Sequence, residues 1–170
     1  MKRHFDSTAR TALGLTVLAL TALVLVAHAT SPRAVAYPEG FRRWTHVKSM
    51  AITGHDHALY SSFGGLHHVY VNAVGRAALE AGKPLPDGSV LAFDLLDVRE
   101  DGGTLQEGAR KFTGVMQRDA RAFAATGGWG FEAFAGDSRT ERVVKDGGRS
   151  CFECHLSRAE KGYVFSEWRR

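Results

Sequence analysis

The sequence predicts an α+β protein, mainly an antiparallel β-sheet with short helices, ending in a C-terminal helix. Three observations carry that prediction. β-branched and aromatic residues come in short runs separated by glycine-rich breaks. No stretch after residue 30 holds apolar residues every three or four positions long enough for a helical bundle. The last third ends in Cys151-Phe152-Glu153-Cys154-His155, whose spacing places three reactive side chains on one helical face.

Met1 to Arg10 carries Lys2, Arg3 and Arg10, Thr11 to Ala27 is apolar and uncharged, and Ala27-His28-Ala29 is a small-x-small site. Residues 1–29 therefore read as a secretory signal peptide. The apolar run is close to the shortest membrane span of about 17 residues. The alternative is an uncleaved N-terminal anchor with the rest of the chain facing the periplasm. Residues 30–170 form one domain of ordinary size, with Thr30 to Ala36 as a lead-in. The formal net charge of +4 falls to +2 without the leader, because Lys2, Arg3 and Arg10 leave against Asp6. That balance is no nucleic-acid footprint.

Trp44 to Ile52 is the first expected strand. Gly54-His55-Asp56-His57 reads as a surface loop, a solvated pair rather than a metal site. His67 to Asn72 is the second strand, and adjacent His67 and His68 point to opposite faces. Ala73 to Ala81 reads as one short helix. Pro86-Asp87-Gly88 is a turn, and Ser89 to Val98 is an apolar run suited to a buried strand. Lys111 to Arg118 and Gly128 to Phe134 complete the strands. A final helix starts near Thr140 or Asp146.

That helix carries the only two cysteines of the chain. C-x-x-C-H is the attachment signature of c-type haem. Cys151 and Cys154 would form thioethers with the haem edge, and His155 would be the axial ligand through one ring nitrogen. The other ring N–H needs an acceptor, which the sequence does not identify. A thioredoxin-like pair is expected after the first strand of a βαβ unit, and none is in view. A zinc site needs further ligands. A disulfide across two residues would constrain almost nothing.

On the opposite side of the iron, no methionine follows His155; Met50 and Met116 lie on expected strands and read as core. An apolar, open distal side would leave the iron five-coordinate, suited to small gaseous ligands.

Taken together, Tyr37 to Trp44, His67 to Asn72, Pro86 to Val90, Phe123-Ala124, Gly127 to Phe131, Cys151 to His155 and Tyr163-Val164-Phe165 make the chain resemble the cytochrome P460 family, which includes the gas-binding cytochromes c′-beta. The resemblance implies a mostly antiparallel fold, a homodimer, and one covalently attached haem c with His155 as proximal ligand. Members that oxidise hydroxylamine cross-link a lysine to the porphyrin, from the strand after the D-G-[ST]-V turn. Here Phe93 takes that position and the strand holds no lysine. In this the chain resembles more the c′-beta type, in which phenylalanines cap the distal side and NO or CO binds. His67 stands where cross-linked members have an arginine, as a hydrogen-bond donor to a bound ligand. Lys48, Lys83 and Lys111 are expected out of reach of the haem. The alternatives are a haem oxidoreductase acting on hydroxylamine, NO or peroxide, and an electron-transfer cytochrome with a redox partner protein. Enzymatic activity is left open by the sequence.

Overall fold

The computed structural model describes residues 34–169. The predicted signal peptide lies outside these residues. The fold is α+β: a five-stranded antiparallel sheet in the order β1-β2-β3-β4-β5, with a few short helices. The strands are β1 (Thr45–Ile52), β2 (Gly65–Val71), β3 (Val90–Asp101), β4 (Thr104–Arg118) and β5 (Trp129–Ala135). Sequential neighbours pair throughout, the simplest outcome of joining antiparallel strands by short connections. The helices are α1 (Tyr60–Phe63), α2 (Ala73–Glu80) and α3 (Arg149–His155), with a 3-10 turn over Leu156–Lys161 after α3. Among the described residues no helix is long and apolar enough to cross a membrane.

β1, β2, β5 and α2 fall within two residues of their expected places, while β3 runs three residues past Val98 and α3 starts three residues after Asp146. Two elements differ more. β4 begins at Thr104 rather than Lys111, because Gln106, Glu107 and Gly108 hide its first half from a reading of hydrophobicity. That half pairs with Val98 to Asp101 as a two-stranded ribbon. α1 was not expected at all; four residues are too few for a helical period to register. Asn72 explains why β2 turns so sharply into α2. Its Oδ1 accepts from the Gly75 and Val90 amides (3.0 and 3.1 Å), and its Nδ2 donates to the Gly88 carbonyl (2.9 Å). One side chain thus caps α2 and ties it to the start of β3.

Directly paired residues share a face of the sheet. Val47, Val71, Leu91, Trp129 and Phe131 form one face, packed against Leu79 of α2, Val164 of the C-terminal tail, and Cys151 and Phe152 of α3. The second face carries Tyr70, Ala92, Val115 and Phe134, covered by Val35, Tyr37, Phe41 and Trp44. The second face also holds Asp94, which is 0% exposed. It accepts from Arg110 (Nε to Oδ1 2.6 Å, Nη2 to Oδ2 3.2 Å) and from Arg42 (2.8 Å).

Candidate functional site

α3 starts against β5. Gly148 precedes it at φ 88°, and a β-carbon there would stand 2.8 Å from Cβ of Phe131. Only glycine allows both that backbone and that approach. Asp146 accepts from the Gly148 and Ser150 amides (3.0 and 2.9 Å). These bonds hold its carboxyl below the usual range. The helix begins at Arg149 with Gly148 at its N-cap, three residues after the expected start at Asp146, whose carboxylate ties the preceding turn; the alternative start at Thr140 is excluded, since Arg142 bridges to Phe134.

Cys151, Cys154 and His155 lie on this one helix at i, i+3 and i+4. Both thiols are free. Cys151 is half-buried against the core, and burial pushes its pKa up; Cys154 is exposed. His155 is half-buried, its ring between Phe131 (centroids 5.0 Å apart) and Phe165 (4.9 Å). Burial pushes its pKa down, opposed by the bond to Tyr163. A neutral imidazole is the form that ligates a metal. Its Nδ1 lies 2.7 Å from the Tyr163 carbonyl oxygen. A carbonyl can only accept, so the proton is on Nδ1 and Nε2 keeps its lone pair. Tyr163 is the acceptor that the sequence left unnamed. Nothing in a pattern of residue types marks a backbone carbonyl eight positions downstream.

Beside α3 the sheet offers an apolar trough. Phe93, Gly114 and Ala133 are paired in register across β3, β4 and β5. Gly114 and Ala133 are the small residues of this strip, with the Phe93 and Phe112 rings lying close over Gly114. The next pairs along β4 and β5 are Phe112 with Ala135 on one side and Met116 with Phe131 on the other. The donor set of two free thiols and one neutral imidazole on one helical face fits a haem attached through thioethers. Cys151, Cys154 and His155 are the residues that could hold it.

The far edge of the trough is aromatic. Phe93 lies 6.1 Å from Phe63, 5.8 Å from Phe112 and 5.0 Å edge-on from His67, and Phe63 lies 6.1 Å from Phe112. All three phenylalanines stay half-exposed, unlike the fully buried Phe134. The sequence does not mark Phe63 and Phe112 as site residues. Phe63 needed the unforeseen α1, and Phe112 looked like any strand aromatic.

His67 and His68 do point to opposite faces: His67 is buried beside Phe93, whereas His68 contacts Ser49 (2.7 Å) and lies 3.0 Å from Glu107. His67 Nε2 donates to the Phe63 carbonyl at 2.5 Å. Burial lowers its pKa, against that bond and with help from His68, Lys111 and Lys48. The expected donor role of His67 thus changes: Nε2 is committed to the chain, and the neutral ring meets a ligand only through Nδ1, as an acceptor. Lys111 also has a structural partner, the Gly64 carbonyl at 2.9 Å. Two sheet side chains therefore clamp the two carbonyls that end α1 and hold Phe63 in place.

Of the three lysines expected out of reach, one shares a face with Phe93. Lys48 pairs with Val69 after a β-bulge at His46/Lys48, which brings it onto the trough's face of the sheet. Bulges shift register without a sequence signature. Lys83 lines a separate groove between the end of α2 and the C-terminal tail. Met116 packs against the core as expected, but Met50 is 42% exposed, opposite His67 in register. His55 and His57 are exposed, the former stacked on Tyr60.

The model of one protein family, Cytochrome P460, matches residues 38–166. No curated protein matches the chain.

Proposed function

The chain belongs to the cytochrome P460 family and is therefore a c-type haem protein; from that premise we propose that it binds small ligands such as NO or CO at one haem c, on a side lined by phenylalanine. Cys151 and Cys154 would hold the haem edge and His155 would ligate the iron through Nε2, the nitrogen left free by the Tyr163 bond. The haem iron would supply the binding site for a diatomic gas. The Phe63, Phe93 and Phe112 rings would shield that site and present no competing ligand to it. The observation that carries this reading is Phe93: it occupies the lysine position, and with Phe63 and Phe112 it presents rings rather than an amine or thioether to the trough. The basic leader, apolar run and Ala27-His28-Ala29 support export to the periplasm, where such haems are attached. A homodimer is part of the proposal.

Absorption spectroscopy of the purified protein, titrated with NO and CO, tests it. A high-spin spectrum that changes stoichiometrically with either gas is expected. A low-spin haem unmoved by both would contradict it. Phe93→Ala should raise the CO association rate roughly tenfold, equivalent to about 1.4 kcal/mol of barrier, measured by flash photolysis. Lys111→Met should move that rate in the same direction by freeing the end of α1, without touching the iron's own ligand.

A second reading has one observation behind it. Lys48 on the trough's face keeps a haem oxidoreductase acting on hydroxylamine, NO or peroxide in view. A haem-linked Lys48 peptide by mass spectrometry, with turnover of hydroxylamine, would favour it over ligand binding.

A further inference from the structure

We propose that Trp129 and Tyr163 are positioning residues for His155: together they hold the backbone turn whose carbonyl binds the imidazole, and so set how strongly that ring donates to the iron. The inference rests on the haem reading above and adds to it the residues that tune the haem.

Tyr163 has φ 67°, and it is the one non-glycine position among the described residues with positive φ. It follows Gly162 at φ 66°, so two left-handed residues stand in succession. A bulky aromatic avoids this region, and strain of this kind persists only where surrounding contacts over-determine it. Those contacts are present. The Trp129 indole Nε1–H donates to the Gly162 carbonyl at 2.9 Å and fixes the peptide that enters the turn. The Tyr163 amide donates to the Arg158 carbonyl at 2.8 Å, tying the turn back to the 3-10 segment after α3. The tyrosine ring lies on Gly127, where a β-carbon would come within 2.6 Å of its Cζ. It also packs 5.4 Å from Phe152 of α3. The product of these constraints is a carbonyl 2.7 Å from His155 Nδ1.

A helix that merely needed to end would use one left-handed residue, usually glycine, and Gly162 already supplies it. A left-handed tyrosine after it is accounted for by its ring, which locks the turn between β5 and α3. Trp129 is 1% exposed, yet its one polar atom is spent on this turn. A stronger hydrogen bond at Nδ1 makes the imidazole a better donor at Nε2, which strengthens the iron–histidine bond and favours the oxidised iron.

The test is the iron–histidine stretching frequency of the ferrous protein by resonance Raman, read with the reduction potential, in Trp129→Phe, Tyr163→Leu and Tyr163→Phe. Trp129→Phe and Tyr163→Leu are expected to lower the frequency and raise the potential. Tyr163→Phe, which keeps the ring, is expected to match wild type. Tyr163→Leu changes a partly exposed residue and carries the test where Trp129→Phe does not assemble. A purely structural role for these residues lowers the melting temperature but leaves frequency and potential unmoved, and that result overturns the inference. A wild-type protein with no haem on Cys151, Cys154 and His155 overturns the haem reading itself, so the two failures are distinct.

Discussion

Replacing Cys151 and Cys154 together by serine is expected to abolish covalent haem attachment while leaving the sheet able to form. Both thiols are free, and Cys151 adds packing on the core edge and a hydrogen bond with Ser150. Serine keeps the shape of the helix and removes the only atoms able to form the thioethers. The predicted result is total loss of the haem-stained band after denaturing electrophoresis and of the haem-bearing peptide by mass. The single variants separate the two thiols. Cys151 is half-buried and Cys154 exposed, so Cys151→Ser, which also places a hydroxyl at the core, should cost more holoprotein than Cys154→Ser. His155→Ala is the complementary case: attachment through sulfur persists, and the iron loses its protein ligand.

The second large effect lies on the opposite face of the sheet. Arg110→Met is expected to destabilise the fold by about 3–5 kcal/mol, the usual cost of breaking a buried ion pair by removing one partner. Asp94 has no solvent to turn to, while Arg110 grips both of its oxygens. The remaining partner, Arg42, has a side chain 40% exposed and is shared with Glu107. Arg110 also reaches Asp137. Thermal unfolding followed by circular dichroism should show a fall in Tm of roughly 10 °C or more, by the usual relation for a domain of this size. The double variant Asp94→Leu/Arg110→Met should recover much of the loss, because an apolar pair in a buried site avoids the desolvation that the ions incur. A double variant as unstable as the single one would mean that the network contributes more than charge neutralisation.

Those two predictions draw on different layers of information. Cys151, Cys154 and His155 were legible because the chemistry is local: five consecutive residues on one helix contain it. The strands were legible because runs such as Ser89 to Val98 must be buried wherever they go. Three things were not legible, each for a physical reason. The bulge that carries Lys48 onto the trough's face is set by packing of Val47 into the core, not by a residue type. The clamp on α1 joins His67 and Lys111 to carbonyls, and carbonyls have no letter in a sequence. The Asp94 network connects positions 42, 94, 107 and 110, which meet only once β3 and β4 have paired and the N-terminal stretch has crossed the sheet. The sequence marked Phe93 only through the family resemblance; its neighbours Phe63 and Phe112 came from the fold.

The central claim is that His155 alone ligates the iron from the protein, beneath an aromatic distal side open to small ligands. Resonance Raman spectroscopy of the ferrous protein, before and after CO, tests it most directly. The account predicts five-coordinate high-spin marker bands with an iron–histidine stretch, converted by CO to a six-coordinate complex. Six-coordinate low-spin bands in the protein without CO, or the absence of an iron–histidine stretch, would contradict it.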